Sequence, residues 1–258
     1  MKSLKYWLLV LGILSCFGCS SSIHEDNRGC SFICDSIQYR VEFMSAGCVR
    51  ILSYPEGDTL VTKRLVVDVE KPTFTDYKWE ETEQAFVFCT HELLVSFDKS
   101  DEAFTFREAS TGKLLLKEKD RRKARNFKRS EVGGEQCLEV TQRFIPTDEE
   151  AIYGLGQYQN GIMNYRGKSV LLLQANMDIV NPFLISTNGY GILWDNYSST
   201  KFEDTSEGYS FISEVGDASD YYFVYGKNMD EVVAGYRELT GDVPMFGKWV
   251  YGFWQSKE

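Results

Sequence analysis

The sequence predicts a mainly β protein built as a sandwich, and three observations predict it. Short runs alternate apolar and polar residues with a period of two from Ser36 to about Gly226. Turn-forming residues separate these runs, and helical periodicity is confined to one segment near the carboxyl end. Many short strands at regular spacing, with no helices between them, pack as a sandwich.

The amino end is an address. Lys2 and Lys5 give it a positive start, and the apolar run from Tyr6 to Leu14 is too short to span a membrane as a mature helix. Small residues and cysteines follow, and residues 1–19 resemble a bacterial lipoprotein signal. Cys16 has the better apolar residue three places upstream. Cys19 has Gly18 before it and serines after it. Lipidation falls on one or the other, or the segment is a plain secretory signal with incidental cysteines. A lipoprotein signal implies export to the periplasm or outer membrane of a Gram-negative bacterium, with membrane contact through the lipid alone.

Alternation then marks strands at Tyr39–Phe43, Leu93–Phe97, Phe104–Phe106, Leu114–Leu116 and Leu138–Phe144. Turn chemistry lies between them at Pro55–Asp58, Ser110–Lys113 and Gly133–Gly134. Pro182–Thr187, Asn188-Gly189 and Tyr190–Trp194 read as a hairpin, with Asn-Gly supplying a type I′ turn. The basic run from Lys117 to Arg129, interrupted by acids, reads as a solvated loop or edge strand, where charge discourages sheet-to-sheet aggregation. Asn228 caps a helix that has Asp230 and Glu231 in its first turn and closes at Gly241. Met229, Val232, Val233, Tyr236 and Leu239 form its apolar stripe.

Cys30, Cys34, Cys48, Cys89 and Cys137 match no zinc or redox spacing. Cys48 and Cys89 read as core strand positions, and a Cys30–Cys34 bridge stays open. With only His24 and His91 available, a Cys/His metal site is not expected, and no cofactor is implied. The formal charge of −10 disfavours nucleic acid, whose binding needs clustered Lys and Arg. The 43% hydrophobic and 14% aromatic content supports a sizeable core and argues against disorder. After Pro244 come Trp249, Tyr251, Phe253 and Trp254, a segment that needs burial and reads as the start of a further domain.

The run Ile152–Gly161 is followed by Asn164–Lys168, Gln174–Asn176 and Pro182–Ser198. Together these resemble the amino-terminal β-sandwich, galactose-mutarotase-like, of family 31 glycoside hydrolases, and most of all the bacterial α-xylosidases of xyloglucan-degrading systems. The stretch from Gly241 to Glu258 resembles the passage into the first strand of that family's (β/α)8 barrel. The resemblance covers residues 150–258; before about residue 140 it rests on strand content and position. It divides the chain into a sandwich over 20–243 and a barrel start over 244–258.

The resemblance implies retaining hydrolysis of α-glycosides by two carboxyl groups about 5–5.5 Å apart. These come from the carboxyl ends of barrel strands, which are expected beyond Glu258. Asp195, Glu203 and Asp204 fall outside the family's catalytic motifs, so no catalytic residue is expected in this chain. In that family a sandwich loop, matched here by Asn160–Lys168, reaches over the barrel mouth. The resemblance implies substrate contacts from Met163, Tyr165, Arg166 and Trp254. Tyr165 would stack on a sugar face and Arg166 would donate to hydroxyls; alternatively both simply fasten the loop. The implied partners are an α-xylosylated or α-glucosylated oligosaccharide and the protein's own barrel. An α-glucosidase or transglycosylase of the same fold is an alternative, as is a non-catalytic glycan-binding lipoprotein.

Overall fold

A computed structural model of the chain describes residues 23–58, 64–67, 74–121 and 126–255; Cys16, Cys19 and the signal segment lie outside the described residues. The first half holds β1 (His24–Glu25), β2 (Cys30–Cys34), β3 (Ile37–Ser45), β4 (Cys48–Pro55), β5 (Lys78–Glu81), β6 (Ala85–Cys89), β7 (Leu93–Asp98), β8 (Ala103–Glu108) and β9 (Leu114–Glu118). The second half holds β10 (Phe127–Val132), β11 (Glu135–Ile145), β12 (Ile152–Gln157), β13 (Ser169–Leu172), β14 (Ile179–Ser186), β15 (Tyr190–Trp194), β16 (Thr200–Thr205), β17 (Gly208–Gly216), β18 (Ser219–Tyr225) and the helix α1 (Met229–Thr240).

Two antiparallel sheets form the sandwich. One runs β1-β2-β3-β4-β18-β15-β14-β12. The other runs β13-β16-β17-β11-β9-β8-β7-β6-β5, with β10 paired to β11. The alternation seen in the sequence decides which side chains meet between them: in β7, Leu93, Val95 and Phe97 are buried while their neighbours are half-buried. Aromatic rings fill the interior. Phe106 of one sheet stacks on Phe223 of the other at 4.2 Å. Trp194 is fully buried, stacks on Phe211 and donates its indole N–H to Ser213 Oγ at 2.9 Å. Burying a Phe side chain is worth roughly 1.5–3 kcal/mol, so this aromatic layer carries much of the fold.

The outer face of the eight-stranded sheet is covered in part by α1. Val232 and Leu239 pack on Leu193, Tyr222, Val224 and Cys48, and Tyr236 stacks on Phe183 at 4.2 Å. The expected caps are present: Asn228 Oδ1 accepts from Glu231 N at 3.0 Å, and the Gly241 N–H donates to Arg237 O. Of the expected stripe, Met229 and Val233 are exposed, because the helix meets the sheet along a narrower line.

Several expectations are corrected. The Asn188-Gly189 turn is a three-residue loop, because Ser186 pairs with Tyr190 and positive φ falls at Gly189 and not at Asn188. Cys89 ends its strand and is exposed. Cys30 and Cys34 are both buried thiols on one face of β2; four residues of strand separate them by about 13 Å, beyond disulfide reach. The end of the charged run, Phe127–Arg129, lies in the edge strand β10, but Glu118 and Arg121 of the same run are buried. The described part of the segment expected to lead into a barrel holds a 3-10 turn over Lys248–Tyr251.

Candidate functional site

β12 is the outer strand of one sheet and β13 the outer strand of the other. The 158–168 connection that joins them and the 173–178 connection from β13 to β14 therefore close one lateral edge of the sandwich. Tyr-Gly-Leu-Gly makes this edge irregular. Gly154, Leu155 and Gly156 have φ of +99°, +66° and +116°, and the β12–β14 register shifts there. A Cβ on Gly154 would lie 2.5 Å from Phe183 O, and one on Gly156 2.0 Å from Ile179 O. Leu155 pays a left-handed backbone cost of about 1–3 kcal/mol, offset by the complete burial of its side chain.

The base of the 158–168 connection is tightly held. Tyr165 is 3% exposed and stands edge-on to Phe202. Arg166 donates from Nε to Asp204 Oδ2 at 2.8 Å, and from Nη1 to Thr147 O and Glu150 O at 2.9 and 3.0 Å. Gly167 N donates to the same Asp204 oxygen at 2.7 Å, and Asn164 Oδ1 accepts from Ile152 N and Arg166 N. Behind them Glu150 accepts from Ser186 Oγ and Tyr190 Oη, both at 2.9 Å; burial pushes its carboxyl above the usual range. Tyr165 and Arg166 thus direct their polar and aromatic groups into the fold. Met163, on the same connection, is 78% exposed. Trp254 is 66% exposed; its ring meets Trp249, and its indole N–H donates to Val250 O at 2.7 Å.

Because Arg166 and Asp204 join the connection to β16, Arg166→Ala should free it without unfolding the sandwich. Losing a charge-assisted hydrogen bond at a partly exposed site costs about 1.5–3 kcal/mol. The expected readout is faster amide exchange and new proteolytic cuts confined to 158–168, with the aromatic core unchanged.

A second segment on this edge entered the sequence reading only through Gln174–Asn176, with no role attached to the apolar residues around it. Leu173, Met177 and Ile179 are exposed, Met177 holds φ +69°, and Gln174 Oε1 accepts from Val180 N at 3.1 Å. The segment adjoins the first: the Tyr158 hydroxyl is pushed up to about 12 by burial and, beyond that, by Tyr165 and Asp178. The available signal was the unbroken run Val170–Leu173, where alternation predicts polar residues at the two outward positions that Leu171 and Leu173 occupy.

The acids named from the sequence sit in separate places. Glu203 pairs with Lys201, and Asp204 with Arg166. Asp195 lies at the end of the sandwich, where burial and the neighbouring Asp220 push its carboxyl up to about 6 against the opposing hydrogen bond from Tyr197. A folded-state pKa above the ordinary 3.8 gives stability that is present below pH about 4 and lost as pH rises through about 6. Asp195→Asn should therefore flatten the fall in stability over that interval and leave the variant more stable than the parent above it, measured as denaturation midpoint against pH. Glu150, shifted in the same direction, leaves a residual slope. Among the described residues no group of three or more His, Cys, Asp or Glu is arranged to hold a metal ion.

With this geometry in hand, the relatives are informative. Residues 38–203 match the glycosyl hydrolase 31 N-terminal galactose mutarotase-like domain. The chain belongs to that family. An α-xylosidase of Saccharolobus solfataricus is 36% identical over 238 residues, which cover 86% of this chain and 31% of the relative. Alpha-glucosidase 2 of Bacillus thermoamyloliquefaciens is 28% identical over 88% of this chain and 29% of its own length. Among solved structures, the family 31 α-xylosidase of Xanthomonas citri superposes with a TM-score of 0.80 at 22% identity, over 90% of this chain and 42% of that one. At that identity the match shows the fold. The chain spans about a third of the curated relatives' length. The glycosyl hydrolase 31 sandwich is thus the scaffold that presents the 158–168 and 173–178 connections.

Proposed function

We propose that this chain is the non-catalytic front portion of a retaining α-glycosidase of α-xylosidase type, and that its parent removes non-reducing α-xylosyl groups from xyloglucan oligosaccharides. The observation that carries the reading is the 36% identity to an α-xylosidase over 86% of this chain and only 31% of that enzyme. In this reading the catalytic carboxyl groups belong to a barrel beyond Glu258, and residues 244–258 lead into it. The sandwich packs its lateral edge against that barrel. Exposed Met163 and Trp254 face the terminal sugar, while Tyr165 and Arg166 act by holding the loop that carries Met163. The α-glucosidase and the isomaltosyltransferase of Sporosarcina globispora among the relatives keep glucose transfer or hydrolysis as the second reading.

The test is turnover of matched aryl α-xyloside and α-glucoside by the longer gene product and by residues 20–258 alone. The longer protein should release xylose faster, and the short one should release neither sugar. Measurable turnover by the short protein would overturn the non-catalytic assignment, and preferred release of glucose would overturn the sugar assignment. Lipid anchoring through Cys16 or Cys19, as a periplasmic or outer-membrane lipoprotein, completes the proposal. Metabolic labelling with palmitate should mark the protein and be lost in either Cys16→Ser or Cys19→Ser; labelling of neither parent nor variants would contradict it.

A further inference from the structure

Two adjoining cavities open at the end of the sandwich where β15 crosses to β16 and β17 turns into β18. One, of about 300 Å³, lies between Val66, Leu173, Gln174, Pro182 and Ser199. The other, of about 400 Å³, lies between Leu65, Val215, Asp217 and Asp220. Asp195, Asn196, Tyr197 and Ser198 line both, so they form one groove with Tyr197 as the ridge between its halves. The groove begins at Leu173 and Gln174, on the lateral edge proposed to meet the barrel, and runs away from it past Tyr197.

We propose that this groove binds a neutral oligosaccharide, holding sugar units beyond the terminal one. The proposal rests on the reading of the parent as an oligosaccharide-acting enzyme and places the rest of its substrate. Tyr197 is prepared for this. Its hydroxyl accepts from Leu65 N at 2.8 Å and donates to Asp195, which fixes a ring that is still 54% exposed. A fixed aromatic side chain offers stacking area at little entropic cost on binding. The apolar walls, Leu65, Val66, Leu173 and Pro182, suit the C–H faces of pyranose rings. The polar lining is rich in acceptors, with Asp217 and Gln174 at the two ends, and so matches ligands that donate through many hydroxyls. The same carboxylates oppose anionic ligands, while Arg50, the buried cation beside them, is paired to Asp220 and Glu42.

The experiment is calorimetric titration of this chain with isomaltotriose, a xyloglucan-derived oligosaccharide, xylose, and an oligogalacturonide as the anionic control. One of the two neutral oligomers should bind at least tenfold more tightly than xylose or the anionic oligomer. Tyr197→Ala and Asp217→Ala should each weaken that binding about tenfold, which corresponds to about 1.4 kcal/mol. Asp217 is exposed and turn-borne, so its variant decides the matter if Tyr197→Ala does not fold. Absence of binding, binding unchanged in Asp217→Ala, or preference for the anionic oligomer would overturn the groove. The parent reading stands apart: hydrolysis by the longer protein without binding here defeats only the groove, and binding here without hydrolysis defeats only that reading.

Discussion

Glu118→Ala should lower the stability of this chain by about 3–5 kcal/mol, the cost of removing one partner from a buried ion pair. Glu118 is fully buried between the sheets and accepts from four donors: Phe104 N, Arg121 Nη2, Gln142 Nε2 and Tyr221 Oη, all at 2.8–2.9 Å. Arg121 reaches on to Ser53 Oγ at 2.7 Å and lies over the Tyr39 ring. Ser219 and Asn126 close the network through Gln142. Deleting the carboxylate removes a charge partner of the guanidinium inside an aromatic core, so the loss far exceeds that of a surface pair. At about 2–4 °C per kcal/mol for a domain of this size, the thermal midpoint should drop by about 10 °C. Glu118→Gln, which keeps the shape and loses the charge, should fall between. A Glu118→Ala midpoint within 2 °C of the parent, by about the same conversion, would show that the network is not the stabilising unit described.

Gly156→Ala should be comparably damaging for a different reason. The residue has φ +116°, and a Cβ there would lie 2.0 Å from Ile179 O, so β12 and β14 must separate. Strain and lost pairing together should cost about 3 kcal/mol or more. The effect should reach the candidate site, because Ile179 ends the 173–178 connection and Gln157 begins the 158–168 one. Gly112→Ala is the control: its φ of +72° is unfavourable, but nothing lies within 4 Å, so it should cost only about 1–2 kcal/mol. Chemical denaturation of the three proteins measures this; equal midpoints for the two variants would mean that close approach at Gly156 is not what demands glycine.

The sandwich was legible because its signal is local. Strict alternation at Leu93–Phe97, and Asn228 and Gly241 at the ends of the helix, are decided by neighbours along the chain. The buried Glu118–Arg121 pair was not, because its satisfying partners come from strands far off in sequence, such as Tyr221 and Ser53. The hairpin turn was misread for a similar reason: Gly189 is pressed against Gly226 O, a contact set by β18 and not by the turn itself. At the site, the family resemblance named the loop over 160–168 with Met163, Tyr165 and Arg166. It could not separate residues that face outward from those that fasten the loop, since Tyr165 owes its burial to Phe202 and Arg166 its direction to Asp204. Leu173, Met177 and Ile179 escaped because apolar residues at outward positions look like core until a register is known.

We propose this sandwich as the front portion of a larger α-glycosidase. Sequencing the messenger beyond codon 258 tests it most directly. An open reading frame of several hundred further codons is expected, with alternating strand and helix patterns and two acidic residues at strand carboxyl ends, by the usual size of such a barrel. A stop codon immediately after Glu258 would contradict it.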